Sequence, residues 1–399
     1  MLTDAAEPST AGTRAIDLLS RLIRFDTTNP PGNEEAAQRM LRAELDAAGF
    51  ECELLAAVEG RPNLIARLRG AESGPNLCLL SHVDVVPAEA EDWSFDPFGG
   101  EVTGGEVRGR GAQDMKSQTA AEVAAACELA SSGWRPARGD LLVIVTADEE
   151  MGATHGARWL CEAHPEKVAC EWVVNEGAGI VLAGSSGPAY TVCIGEKGVF
   201  RFRVIAHGTA GHASIPRIGD NALLKLAPMI ERLRTQPEPT PDADAHRFLE
   251  AVSGVDPRAD LAAALDRLGE LDPLARAVIA EPMLGVSVTP TRASASQKDN
   301  VIPAHAEILV DCRVPPGMKE PEVRATVESL LGEGEHEIDF TEHVVGNRSD
   351  PEGPLYDAIA DWIGCQPGDA SPAPMVMPGF SDSHWFRKEL GATAFGFFP

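Results

Sequence analysis

Four short stretches of the chain end apolar runs with hard oxygen or imidazole donors. They are Leu79-Leu80-Ser81-His82-Val83-Asp84, Gly109-Arg110-Gly111-Ala112-Gln113-Asp114-Met115-Lys116, Thr146-Ala147-Asp148-Glu149-Glu150 and Val173-Val174-Asn175-Glu176-Gly177. Imidazole and carboxylate are donors that hold zinc, and a spare carboxylate beside such a site can take a proton from water. On a strand, residues i and i+2 share a face, so Asp84 can stand behind His82 or fix the tautomer of its ring. The glycines before Asp114 let the backbone bring a carboxylate into a tight site, although a helix N-cap is the bland alternative. That loop superficially resembles a dinucleotide-binding turn, but Asp114 stands where the third glycine belongs and would repel a pyrophosphate. Glu149 and Glu150 can divide labour, one binding metal and the other accepting a proton. Glu176 leaves the next apolar run between Asn175 and Gly177. Singly, each acid reads as a turn or capping residue. Together and in order, they point to a metal site with a general base beside it.

The elements that must position these residues follow from the apolar pattern. Helices are predicted over 12–25 and 34–48, around the turn Thr28-Asn29-Pro30-Pro31-Gly32, and over the alanine-rich 114–132. Strands are predicted over 63–68, 76–81, 140–146 and 171–174. Strands alternating with helices imply a mostly parallel α/β sheet, whose ligands bind beyond the carboxyl ends of the strands. The acidic cassettes fall there. From Ala189 the texture becomes antiparallel: strands over 189–194 and 198–207, a helix over 221–234, a Pro/Asp-rich loop over 236–245 and more helix. Strands over 284–289 and 306–311 follow. This predicts an α+β module of four strands and two helices inserted at 197–313, with 1–196 and 314–399 forming one discontinuous catalytic domain. The inserted segment carries His212 in the glycine-flanked Gly208–Ser214 loop, Asn300, and Arg313 at its end. Arg313 reads either as a surface ion pair or as a bidentate clamp for a substrate carboxylate.

Bulk properties narrow the classes. At 399 residues, two domains are expected. The net charge of −27 argues against nucleic acid and anionic membranes as partners, and serves solubility. The apolar runs are strand-sized and too short to span a bilayer, and residues 1–13 lack the basic and apolar regions of a secretory leader. Eight scattered cysteines with no Cys-x-x-Cys pair fit a reduced, cytoplasmic setting.

Over essentially its whole length the chain resembles the co-catalytic zinc amidohydrolases that include acetylornithine deacetylase, succinyl-diaminopimelate desuccinylase, aminoacylase and glutamate carboxypeptidase. The matching strings are S-H-V-D-V-V-P, G-R-G-A-Q-D-M-K, D-E-E-M-G, N-E-G, G-H-A-S, N-V-I-P and D-C-R. The resemblance implies a zinc-exopeptidase-like catalytic domain with a ferredoxin-like lid that also dimerises. It implies two zinc ions, replaceable by cobalt, bridged by Asp114 with a cis peptide to Met115. His82 and Glu176 complete one zinc and Glu150 binds the other. Water bridging the zincs is the nucleophile, Glu149 the general base, and Asp84 orients His82. By the same resemblance His212 reaches into the partner subunit's site to stabilise an oxyanion, assisted by Asn300. Arg313 holds the substrate's free carboxylate, and Gly379-Phe380-Ser381-Asp382 closes over it.

The expected substrate is therefore an N-acyl amino acid or short peptide, hydrolysed by a homodimer. Relatives place a last histidine ligand beyond the strand matched here by 392–398, so a chain ending at Pro399 is expected either to be truncated or to hold its second zinc weakly. His384 is not expected to be a ligand. The rival from another class is a non-catalytic dimeric binding protein that keeps the fold with an incomplete metal site; the intact Glu149 and Glu150 argue against it. A serine hydrolase is a poorer third, because Gly184-Ser185-Ser186-Gly187 lacks the spacing of a nucleophile elbow.

Overall fold

A computed structural model describes residues 9–296 and 298–399. The reading of residues 1–13 as leaderless therefore lies, for residues 1–8, outside the described residues. The chain divides into two compact units, one formed by Met1–Gly179, Glu352–Asp357 and Ser381–Pro399, the other by Ile180–Pro351 and Ala358–Phe380.

In the first unit, strands β1 (Glu51–Ala56), β2 (Pro62–Leu68), β3 (Leu77–His82), β4 (Leu141–Thr146) and β5 (Trp172–Asn175) join a closing strand, Thr393–Gly396. Strands β4, β3, β5 and the closing strand run parallel, whereas β1 and β2 add an antiparallel margin. Every residue of β4, Leu-Leu-Val-Ile-Val-Thr, is buried, which is why it reads as a continuous apolar run rather than an alternation. Helices α1 (Thr10–Ile23), α2 (Glu35–Ala47) and α3 (Lys116–Ser131) cover the sheet through Leu18, Leu22, Leu41, Leu45, Val123 and Cys127. Small residues on α3, Ala120, Ala124 and Ala130, permit close approach. In parallel strands all carboxyl ends lie on one edge, so His82, Thr146 and Asn175 emerge together there.

In the second unit, β6 (Pro188–Glu196) pairs in parallel with Ser371–Met377. A separate antiparallel layer contains β7 (Phe202–His207), β8 (Gly211–His212, outside its main sheet), β9 (Ser287–Ser294), β10 (Val301–Ile302, paired with β8), β11 (His305–Val314) and β12 (Glu337–Phe340). Its main sheet runs β9-β11-β7-β12. With helices Ala222–Arg232 and Glu320–Leu331, this is the βαββαβ order of a ferredoxin-like layer. Strand β11 alternates buried and half-buried positions, as a sheet with one covered face must. The sheet also takes a fifth, two-residue strand, Gly198–Val199, against the end of β11, and its members differ from the four strands expected. Strand β6 pairs elsewhere, and the layer continues past residue 313 because Val323, Val327, Leu331 and Phe340 complete its core.

Among the described residues no helix is long and apolar enough to cross a membrane, and no cysteine is in a disulfide.

Candidate metal centre

His82 ends β3 and is 1% exposed. Its Nδ1 lies 3.0 Å from the carbonyl oxygen of Asp84. A carbonyl only accepts, so Nδ1 carries the proton of the neutral ring and Nε2 presents a lone pair. That lone pair faces Asp114 Oδ1 at 3.2 Å, Glu176 Oε1 at 3.6 Å and Glu149 Oε2 at 3.8 Å. No hydrogen bond satisfies Nε2 although it is buried. A lone pair ringed by carboxylate oxygens is repulsive unless a cation or a proton lies between them. Two donor triplets have ligand atoms within 4.8 Å of one another, His82 with Asp114 and Glu150, and His82 with Glu149 and Glu176. The imidazole is the member the two triplets share. All-nitrogen-and-oxygen donors with several carboxylates suit a divalent cation such as zinc.

The protonation pattern expresses the same crowding. Burial opposes charge on His82, yet the nearby carboxylates of Asp114, Asp84 and Glu176 favour its protonated form and lift its pKa well above the usual imidazole value. Burial raises Glu149 well above the ordinary carboxyl range and, with Asp114, Asp84 and Glu176 adding repulsion, pushes Glu150 up to about 7.

Each acid has its own local support. Asp114 is not a helix cap: α3 begins at Lys116 after Met115, with no side-chain cap, and the Asp114 carboxylate is 66% exposed. The Asp114–Met115 peptide is cis. Gly111 has φ +83°, and a Cβ there would meet Lys116 and Val85 at 2.9 Å, so the turn needs glycine. Asp84 orients His82 through its carbonyl. Its carboxylate, 3.4 Å from Nδ1, serves the neighbouring turn instead. Oδ1 accepts the backbone N–H of Glu149 and Oδ2 that of Glu150, both at 3.1 Å, while Asn29 Nδ2 donates to Oδ2 at 2.8 Å.

That turn rests on a buried network that the sequence hardly signals. Asp148, with φ +65°, accepts from Asn29 at 3.1 Å, from Arg61 at 2.9 Å and from the His155 N–H at 3.0 Å. Arg61 also holds the fully buried Glu34. The local pattern puts Asn29 in a turn and says nothing of its place beneath the site. The segment 381–385 is likewise anchored inward. Thr146 Oγ1 donates to Asp382 Oδ2 at 2.6 Å, and Asn175 Nδ2 to Ser383 Oγ at 2.9 Å. Asp382 Oδ1 is buried without a hydrogen-bond partner, and burial lifts its pKa to about 7. Ser381 is buried and accepts the Ser383 N–H, whereas His384, its pKa lowered to about 4 by burial, joins neither donor triplet.

Residues 78–399 match the profile of Peptidase family M20/M25/M40. The chain belongs to this family. Among curated relatives, a succinyl-diaminopimelate desuccinylase from Wolbachia pipientis subsp. Culex pipiens is 33% identical over 225 residues, 55% of this chain and 53% of that protein. The chain spans about half the length of the curated relatives it matches in this way. Among solved structures, the M20 family metallo-carboxypeptidase Sso-CP2 from Sulfolobus solfataricus superposes with a TM-score of 0.68 at 15% identity, covering 96% of this chain and 90% of that one. Human carnosine dipeptidase 1 gives 0.67 at 14% identity, covering 97% and 91%. At these identities the structures show a shared fold.

The remaining expected site residues of this M20 chain lie in the second unit. His212 and Asn300 are neighbours, because β8 pairs with β10 and the Ala213 N–H donates to the Asn300 carbonyl at 2.9 Å. Arg313 on β11 is held by Asp311, Nε to Oδ1 at 2.7 Å, and Asp311 also takes Arg201 at 3.0 Å. Gly379 lies beyond Ser371–Met377, close enough to Met377 that a Cβ would sit 2.9 Å from its Cε.

Proposed function

We propose that the chain is a zinc-dependent hydrolase of amide bonds next to a free carboxylate, acting on N-acyl amino acids or short peptides. The observation that carries this reading is the buried His82 Nε2 lone pair within two carboxylate donor triplets. Relatives named as desuccinylases and folds shared with a carboxypeptidase and a dipeptidase support the substrate class. His82, Asp114 and Glu176 would hold one zinc, and Asp114 with Glu150 the other, with cobalt able to replace them. Zinc supplies Lewis acidity, polarising a carbonyl and lowering the pKa of water towards about 7. The chain's own groups do the rest. Glu149 accepts the proton of the attacking water and returns it to the leaving amine, a task its burial-raised pKa suits. Asp84 fixes the turn from which Glu149 acts. His212 and Asn300 donate to the developing oxyanion. Arg313, with Gly379 and Ser381 in the closing loop, engages the substrate carboxylate, Asp311 holding the guanidinium in place.

The antiparallel layer from β7 to β12 acts in this reading as a lid and dimerisation module of a cytoplasmic homodimer. Ile215, Ile218, Leu223 and Leu224, all exposed, give the neighbourhood of His212 an apolar face suited to a second copy. The test is amine release from a panel of N-acetyl and N-succinyl amino acids and dipeptides, with zinc or cobalt and with a chelator. Chelator-sensitive release identifies the acyl class. A chain with two bound zincs that releases nothing from any member of the panel would refute the reading.

A further inference from the structure

The loop after β8 determines which face of His212 is available. Two groups approach its Nδ1: the Ser214 hydroxyl at 2.7 Å and the Ser214 backbone N–H at 3.3 Å. A backbone N–H can only donate, so it requires a lone pair at Nδ1, and the hydroxyl then donates to the same atom. The neutral imidazole must therefore carry its proton on Nε2. The loop is held while it does so. Gly211 and His212 pair with Ile302 and Val301, the Ala213 N–H donates to the Asn300 carbonyl, and the Ile215 N–H donates to the His212 carbonyl at 2.9 Å. The ring itself is exposed, so these contacts at Nδ1 substitute for packing in fixing its orientation.

We propose that Ser214 is the positioning residue that sets His212 as an Nε2–H hydrogen-bond donor, and so assigns it to binding negative charge rather than to accepting a proton. The inference rests on the oxyanion role given to His212 above. A ring presenting Nε2–H cannot serve as a base from that nitrogen, which leaves Glu149 as the proton acceptor and His212 as an electrophilic aid. His82 is the mirror case: a carbonyl at its Nδ1 leaves a lone pair at Nε2 for a cation, whereas donors at the Nδ1 of His212 leave a proton there for an anion. One side-chain type is thus set in two opposite senses by its neighbours two residues on.

The direct test is nitrogen-15 NMR of the imidazoles in protein labelled at histidine, with the His212 signals assigned by their loss in His212→Gln. The expected spectrum near neutral pH has a protonated Nε2 and an unprotonated Nδ1 for His212; Ser214→Ala removes the shorter hydroxyl contact and keeps only the 3.3 Å backbone N–H at Nδ1, so the Nδ1-protonated tautomer should gain population there. An unprotonated Nε2, or a wild-type spectrum identical to that of Ser214→Ala, would overturn the proposal whatever the activity. In the turnover assay, Ser214→Ala is expected to lower kcat on the order of 10-fold with KM nearly unchanged, because positioning of a transition-state donor is lost, and Ser214→Thr to restore it. Failure of the threonine to restore both the spectrum and kcat would also count against it. His212→Gln with full kcat would instead sink the oxyanion role itself, leaving the tautomer assignment to stand on the spectrum.

Discussion

At the scale of single residues, the centre is defined by which atoms are left facing one another. Glu149 and Glu150 are adjacent and their backbone N–H groups share an acceptor, Asp84, yet their carboxylates fall in different donor triplets around His82. We expect Glu149→Ala to retain its zinc, measured by metal analysis after dialysis, while losing two to four orders of magnitude in kcat, the range for a removed general base. Asp84→Ala should weaken both metal binding and folding, because two half-buried N–H groups and the buried Asn29 amide lose a charged acceptor; a loss of about 2–4 kcal/mol in chemical denaturation is expected. The pH response follows from the direction of the shifts. Glu150, at about 7 in the fold against an ordinary 4.5, binds its proton more tightly folded than unfolded. His82, with a raised pKa, does the same. The contribution of Glu150 to the stability of the metal-free chain is therefore fully present below about 4.5 and lost as pH rises through about 7, while that of His82 is lost only above the usual imidazole value. Zinc competes with those protons, so the gap in Tm between zinc-loaded and chelated protein should widen over the same interval. A gap that narrows with rising pH would contradict the arrangement.

At the scale of elements, the parallel strands and the cassettes at their ends were legible in the sequence. An apolar run such as Leu141–Val145 is the mark of a strand buried on both faces, and acids that follow it at once must emerge at the strand's carboxyl end. What lay beneath the site was not legible. Asn29, Arg61 and Asp148 are separated in the chain, and nothing in their local pattern announces that they meet. Asp382 sits in a string whose resemblance implied a loop closing over the substrate carboxylate, and nothing in that string announces that Thr146 holds the Asp382 side chain inward. In the second unit the signal failed for a different reason. Strand β12 is four residues long with two apolar members, Ile338 and Phe340, too few to establish a period. Arg61 tests the hidden network. Arg61→Met leaves Glu34 and Asp148 buried without their guanidinium, and should cost about 3–5 kcal/mol of folding stability, a larger loss than a surface ion pair gives.

For the molecule as a whole, a formal charge of −27 surrounds a centre proposed to attract cations and to process anions. Metal ions and arginine must reverse the field locally for an anionic substrate to settle. The proposed dimer adds a test that is independent of the chemistry at the metal. Leu224 is 68% exposed beside the His212 loop. Leu224→Glu should yield monomers by light scattering and lose turnover while keeping its zinc, if His212 serves a partner's site. Monomers with undiminished kcat would place His212 in its own subunit or outside the reaction.

The closing strand sets a condition on how this centre can come into being. Thr393–Gly396 lies directly against β5, and the turn before it ties Asp382 to Thr146 and Ser383 to Asn175 across more than two hundred residues of chain. The early strands can collapse and bury their aliphatic side chains while the ribosome is still adding residues. Thr146 and Asn175, at the strand ends that carry the acids, gain these partners only when the segment 381–396 has been released. Contacts of such sequence separation form late, because a long loop must be closed before they contribute. A nascent chain of this protein should therefore acquire its secondary structure well before it can grip a metal tightly, and metal capture should follow the emergence of that segment rather than guide the strands that precede it.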